Sequence, residues 1–220
     1  MNVLALDGAL GAFSAAVATR GRVVASFREG GAIALERGLA IVQDVLGGGH
    51  LAPRQIDLLA VGVGPGSFTG LRIAIAYAKS LAAVWERPLV PLSSFDLLEF
   101  DCGFTRVLTV VVGRTGIISA RLRSPDEVRR ASGPIADVLD EVLPLDVSRR
   151  GAEPLAVVGA PKDVLHALAE RAIIVRSFDP VVTPAAAAAA LAAPLRTPPA
   201  SLHEVRADYG ELPAAKLPRS

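Results

Sequence analysis

The segment Val61-Gly-Val-Gly-Pro-Gly-Ser-Phe-Thr-Gly-Leu-Arg72 joins an apolar run to a stretch with helical spacing. The run Leu58 to Val63 is continuous and apolar, which is typical of a central strand buried on both faces. The stretch Leu71 to Trp85 is predicted to be a helix, which Pro88 ends. A strand, a glycine-rich turn and a helix in this order indicate an α/β protein.

The turn in this segment, here called the motif loop, contains the candidate residues Gly64, Pro65, Gly66, Ser67, Thr69 and Gly70. Backbone N–H groups at such a turn can bind an anion. The loop lacks the Gly-Lys-Ser/Thr ending of a P-loop, and its glycines do not have the Gly-x-Gly-x-x-Gly spacing of a dinucleotide site. We therefore predict a structural turn in which Ser67 or Thr69 caps the helix.

The composition is that of a folded protein and excludes several classes. Of 220 residues, 51% are hydrophobic and 20% are charged, which excludes disorder for most of the chain. The formal net charge of +1 argues against a free-standing nucleic-acid binder, so RNA is expected to be met through another subunit. A single cysteine and the lack of an apolar run of ~20 residues predict a cytoplasmic protein without a membrane span.

Two lobes, residues 1–100 and 101–220, are predicted from the order of apolar runs and turns. In the first lobe, three short runs predict an antiparallel meander, and helices are expected at residues 32–46 and 71–85. The segment Asp101-Cys102-Gly103 marks the boundary. The second lobe is predicted to contain a hairpin at residues 107–122, strands at 155–158 and 173–175, and helices at 161–171 and 184–193. Thr183 is expected to cap the last helix, and the Pro-rich tail from Pro194 is expected to be irregular.

Asp7-Gly8 ends the first strand, where actin-like ATPases and sugar kinases present a carboxylate toward magnesium and phosphate. Ala9 and Leu10 follow, and neither side chain can donate a hydrogen bond to phosphate. The corresponding hairpin of the second lobe has Val112-Gly113-Arg114, without a carboxylate. Because magnesium holds phosphates through carboxylates and waters, we predict a degenerate phosphate loop at Asp7 and Gly8, with no bound metal and no catalytic residue.

The motif loop and its flanks resemble the TsaB (YeaZ) family. The resemblance rests on Val3 to Asp7, on Gly62 to Arg72 and on Ala76-Tyr-Ala-Lys-Ser-Leu81, within about the first 100 residues. It implies an actin-like ATPase superfamily fold, with two ribonuclease-H-like lobes and a degenerate nucleotide site. The chain departs from the family pattern at Gly8-Ala9-Leu10, where Thr-Ser-Thr is usual, and at Val112, where the family has an aspartate.

The family resemblance implies a non-catalytic subunit of the bacterial machinery that makes threonylcarbamoyladenosine in tRNA. The implied partner is the paralogue TsaD, which modifies the adenosine beside the anticodon in tRNAs that read codons beginning with A. The ATPase TsaE is expected to dock on the pair. ATP and metal are expected in these partner subunits and none is bound by this chain alone, tRNA is met only through the complex, and a homodimer is expected when the partner is missing.

Two apolar stripes on the helices of the first lobe are predicted to bind this partner. Both follow helical spacing, and their alanines allow close approach of another helix. The residues are Leu35, Leu39, Val42 and Leu46 on one helix, and Leu71, Ile75, Ala78 and Ala82 on the other. The alternative is that both stripes pack only on their own sheet. The interface is favoured because the second helix has few polar positions for an exposed face.

The sequence leaves two alternative functions to compare with the role of a non-catalytic subunit. An ATP-dependent phosphotransferase of the sugar-kinase type is motivated by Asp7 and opposed by the missing second acid. A glycopeptidase would need metal ligands, and His50, His166 and His203 do not form a His-Glu-x-x-His motif.

Overall fold

The computed structural model describes residues 1–31, 36–114, 116–143, 154–195 and 201–210. Within these ranges the chain forms two five-stranded sheets with helices packed against them, which confirms the α/β class. None of the helices in this part of the chain is both long and apolar enough to cross a bilayer.

The first sheet contains β1 (Asn2–Asp7), β2 (Ala12–Thr19), β3 (Arg22–Gly30), β4 (Leu58–Gly64) and β5 (Leu89–Ser93). The strand order is β3-β2-β1-β4-β5. β1, β2 and β3 form an antiparallel meander, whereas β4 runs parallel to β1 and β5 runs parallel to β4. The predicted meander and the predicted central strand are therefore confirmed.

The second sheet contains β6 (Val107–Arg114), β7 (Ile117–Arg123), β8 (Val128–Pro134), β9 (Leu155–Val158) and β10 (Val175–Phe178). Its order is β8-β7-β6-β9-β10, and the strand directions repeat those of the first sheet. The two halves of the chain thus share one sheet topology. β8 was not predicted, because only Ala131 and Gly133 are buried in it and no large apolar residues alternate.

The helices that cover the sheets are α1 (Gly38–Gly48), α2 (Phe68–Trp85), α3 (Ser94–Glu99), α4 (Ile135–Val142), α5 (Lys162–Glu170) and α6 (Pro184–Ala192). Two predicted helix starts are confirmed. Ser67 caps α2, with its Oγ accepting the N–H of Gly70 at 3.3 Å, and Thr183 caps α6 ahead of Pro184. α4 was not predicted.

The first sheet is covered on both faces. α1 and α2 pack on one face, where Leu4 and Leu6 of β1 lie in the core. α6 packs on the other face, where its alanines contact Ala5 and Ala16. Small residues on both sides allow the helix to lie close to the strands. The division at residue 100 stays a prediction. The core of the first lobe includes residues from both sides of this division, because α6, which lies after residue 100, covers one face of the first sheet.

The motif loop is held against the turn between β1 and β2 by close contacts of the two backbones. A Cβ at Gly70 would overlap the carbonyl oxygen of Gly8, and a Cβ at Gly8 would lie 2.5 Å from the carbonyl oxygen of Gly70. A Cβ at Gly66 would overlap the carbonyl of Ala9, which also accepts the N–H of Ser67 at 2.8 Å. This N–H is therefore engaged inside the protein, as expected for a structural turn.

Residues 201–210, here called the strap, pack on the outer side of the motif loop. The N–H of Asp208 donates to the carbonyl oxygen of Val63 at 2.7 Å, and a Cβ at Gly64 would overlap the carbonyl of Asp208. Val205 is buried in the core cluster that α1 and α2 form with the first sheet. The strap contains no helix or strand, as predicted for this part of the tail, but it is an integral layer of the first lobe.

We expect Gly70→Ala to reduce the free energy of unfolding by about 3 kcal/mol or more, because the added methyl forces the turn between β1 and β2 away from α2. Gly47→Ala is the matched control, since Gly47 is also helical and a Cβ there meets nothing within 4 Å. The control should be neutral or stabilising by up to about 1 kcal/mol. Urea denaturation of both variants measures the difference, and equal stability would contradict the close approach.

Candidate functional site

A cleft of about 360 Å³ lies between the two lobes. Its walls are the turn between β1 and β2, helix α3, strand β6 and the segment before α6. The lining is mostly aliphatic, with Leu10, Leu97 and Leu98 on one side and Val110 to Val112 on the other. Among the described residues that line the cleft, Arg28 is the only charged one, and its Nη2 donates to the carbonyl oxygen of Leu10 at 3.3 Å.

Asp7 lies at the end of β1 and is fully buried next to this cleft. Its Oδ2 accepts the N–H of Leu10 at 3.4 Å, which closes the turn, whereas its Oδ1 has no hydrogen-bond partner and faces Gly62. Burial raises the pKa of Asp7 from 3.8 to about 6, against the opposing effects of the Ala9 and Leu10 amides and of Arg28. The structure therefore shows Asp7 as a turn-forming residue.

The donor set around the cleft does not fit a magnesium-bound triphosphate. Such a site needs carboxylate oxygens and hydroxyl or N–H donors that point at the phosphates. Here one oxygen of Asp7 is enclosed by protein, and Val112 stands where a second acid would be needed, with its side chain 46% exposed. In the described part of the chain, no group of three His, Cys, Asp or Glu side chains is placed to hold a metal ion.

The side chains predicted to bind a partner lie mostly in the core of their own lobe. Relative exposure is 7% or less at six of the eight positions: Val42, Leu46, Leu71, Ile75, Ala78 and Ala82. In this structure these six side chains pack in the core between the helices and the sheet, as the alternative describes. Their contact with a partner stays a prediction. Leu39 is 49% exposed, and Leu35 lies outside the described residues.

The outward faces of the same helices carry residues that the sequence analysis did not select. On α2 the exposed positions include Arg72, Ala76, Ser80 and Ala83, followed by Val84, which is 78% exposed. α1 and α2 have the predicted helical periodicity, and the apolar stripe of each helix faces the sheet of its own lobe. The signal that could have found the outward face was the row of small residues Ala76, Ser80 and Ala83, at spacings of four and three.

We expect Asp7→Asn to stabilise the protein at pH 8 and to have little effect near pH 4. The pKa of Asp7 is higher in the folded protein, at about 6, than its ordinary value of 3.8, so the folded state binds this proton more tightly. Stability is therefore lost as the pH rises from about 4 to 6 and stays low above that range. Asparagine removes the buried charge, for an expected gain of about 1–2 kcal/mol.

Thermal unfolding of the Asp7→Asn variant and of the unaltered chain at both pH values checks this expectation. Asp57→Asn is the matched control, because Asp57 is exposed. A pH-independent difference between Asp7→Asn and the unaltered protein would contradict an ionisable buried carboxyl at this position.

Comparison with known proteins identifies the family. A family model described as TsaD, tRNA N6-adenosine threonylcarbamoyltransferase, matches residues 35–204. The TsaB protein of tRNA threonylcarbamoyladenosine biosynthesis from Escherichia coli is 38% identical over 120 residues, which are 53% of this chain and 52% of that protein. The Haemophilus influenzae protein of the same name is 34% identical over 98 residues, 44% and 42% of the two chains. The matched region thus spans about half the length of these relatives.

A solved structure supports the fold across most of the chain. YeaZ from Pseudomonas aeruginosa superimposes with a TM-score of 0.69 at 24% identity, covering 94% of this chain and 99% of that one. The family model, the two sheets of equal topology and this likeness together fit the predicted actin-like ATPase fold with two ribonuclease-H-like lobes. Together with the family model, which matches most of the chain, it confirms the resemblance seen in the sequence. The chain belongs to the TsaD family described by this model, and it is similar to the TsaB (YeaZ) proteins.

Proposed function

We propose that this chain is a non-catalytic subunit in the biosynthesis of threonylcarbamoyladenosine in tRNA. The observation that carries the proposal is the state of the interlobe cleft, where Asp7 is enclosed and the opposite wall is aliphatic. A fold that binds nucleotide in this cleft would need polar groups there. In this chain the described positions are aliphatic, or enclosed in the case of Asp7, which supports a contribution through binding another subunit.

The proposed partner is a TsaD-type paralogue, with which the chain forms a heterodimer. The family model that matches this chain is named for that enzyme, which supports two related folds in one complex. ATP and metal belong to the partner subunits, a TsaE-type ATPase docks on the pair, and tRNA is bound through the complex. The modified nucleoside is the adenosine next to the anticodon in tRNAs that read codons beginning with A. Alone, the chain forms a homodimer.

The proposed docking surface is the outward face of α1 and α2. Leu39 is half exposed on α1, and Ala76 and Ala83 are exposed on α2. Small side chains on an exposed helix allow the backbone of a second helix to approach closely, and the exposed leucine supplies apolar area. The two helices predicted from the sequence remain the proposed interface. Leu39 belongs to both the predicted stripe and this surface, whereas the outward residues of α2 replace the buried ones.

We expect Ala76→Glu and Leu39→Asp each to abolish co-elution with the co-expressed TsaD-type paralogue, because each places an unpaired charge in the contact. Both positions are exposed in the free chain, so the fold should persist, as checked by circular dichroism. Val128→Asp is the control, since Val128 is 63% exposed on β8 of the other lobe. Unchanged co-elution of both variants, or an equal loss in the control, would rule out this surface.

An ATP-dependent phosphotransferase is the competing function, and calorimetry with Mg-ATP separates the two. We expect no binding to the isolated chain up to about 1 mM nucleotide, because one oxygen of Asp7 is enclosed by protein and the described residues of the cleft lining include no second acid. Micromolar binding that disappears in Asp7→Ala would support the phosphotransferase instead.

A further inference from the structure

A nearly buried ion cluster joins the two lobes at the end of α3. The side chain of Glu99 is 6% exposed. Its Oε2 accepts Nε of Arg123 at 2.6 Å, and its Oε1 lies 3.0 Å from Nη2 of Arg121. The hydroxyl of Thr109 donates to the same Oε1 at 2.5 Å. Both arginines belong to β7 and Thr109 to β6, so all three partners of this first-lobe carboxylate lie in the second lobe.

Helix α3 is shared between the lobes in its apolar contacts as well. Asp96 extends the ion cluster, since its Oδ1 accepts Nη1 of Arg121 at 2.7 Å. Leu97 packs in the core beneath α6, whereas Leu98 packs against the cluster of Val107, Ala156 and Val158. Any rotation of one lobe against the other must therefore move α3 away from one set of contacts.

The strap provides a second link between the lobes. The backbone N–H of Asp208 donates a hydrogen bond to the carbonyl oxygen of Val63 on β4. The carboxylate of Asp208 accepts a hydrogen bond from Nη2 of Arg130 on β8. The next residue, Tyr209, is anchored on the first lobe, where its ring stacks on Phe68 and its hydroxyl accepts Nε of Arg72 at 3.0 Å. The strap thus binds the motif loop and the second sheet at the same time.

We propose that these two links act as an interlobe clamp that fixes the angle between the lobes without a ligand. Proteins with two lobes around a cleft commonly close by hinge motion around the bound ligand. Opening this chain would leave Glu99 and Arg121 without their partners, and breaking a nearly buried pair on one side is strongly unfavourable. The clamp concerns the isolated chain, so it stands independently of any partner subunit.

The test compares Glu99→Gln and Arg130→Ala with Arg171→Ala, which breaks an ion pair of 2.8 Å to Asp140 inside the second lobe. The first readout is the rate of amide hydrogen exchange in α3 and β7, measured by mass spectrometry. Labelling of Cys102, the single cysteine of the chain, gives a second readout at the connection between the lobes. We expect both rates to rise about tenfold or more in Glu99→Gln, less in Arg130→Ala, and not at all in the control.

Peptides from β2 and α5 distinguish opening from unfolding, because each lies within one lobe. The clamp requires their exchange to stay unchanged while α3 and β7 exchange faster. Exchange that rises evenly in all peptides would overturn the proposal, since the cluster would then support folding of the lobes and not their angle. Rates equal to those of Arg171→Ala in both clamp variants would overturn it too. If Glu99→Gln does not fold, the more exposed Arg130→Ala decides the question by the same criteria.

Discussion

The first lobe depends on the approach of two backbones, at Gly8 and Gly70. Neither position has room for a Cβ, and the contact brings the end of β1 against the start of α2. Because β1 and β4 are neighbours in the sheet, this contact sets how closely α2 can lie on the sheet. The strap then packs on the other side of the same loop, where Gly64 meets Asp208. A motif that resembles a phosphate-binding turn in composition is therefore a junction of three backbone segments.

The same junction explains why the cleft does not fit a magnesium-bound phosphate. The turn that follows β1 accepts and donates hydrogen bonds within the protein, with Ser67 bound to Ala9 and Leu10 bound to Asp7. An enclosed carboxylate with one unpartnered oxygen destabilises the folded protein at neutral pH. Aliphatic side chains on α3 and β6 occupy the rest of the cleft lining. Both features agree with a protein whose lobes are held by their own contacts.

The two sheets have the same topology but differ in the elements that pack against them. The first sheet is covered on both faces, because α6 returns from the end of the chain to pack its alanines on β1 and β2. The second sheet packs with α4 and α5 and contributes the arginines of β7 and β8 to the contact with the first lobe. The charged contacts at the lobe junction therefore set the orientation of one lobe relative to the other. The contacts between small apolar residues in the first lobe allow α6 to pack densely on the sheet.

The sequence by itself determined the features that depend on neighbouring residues. The meander, the buried β4, the caps Ser67 and Thr183 and the family motif were all predicted, because period, turn residues and capping are local properties. Only the tertiary structure decided which face of α2 is covered, since an apolar stripe at helical spacing suits a core and an interface equally well. It alone revealed β8, the strap and the partners of Glu99, because these contacts join residues far apart in the chain and leave no periodic pattern.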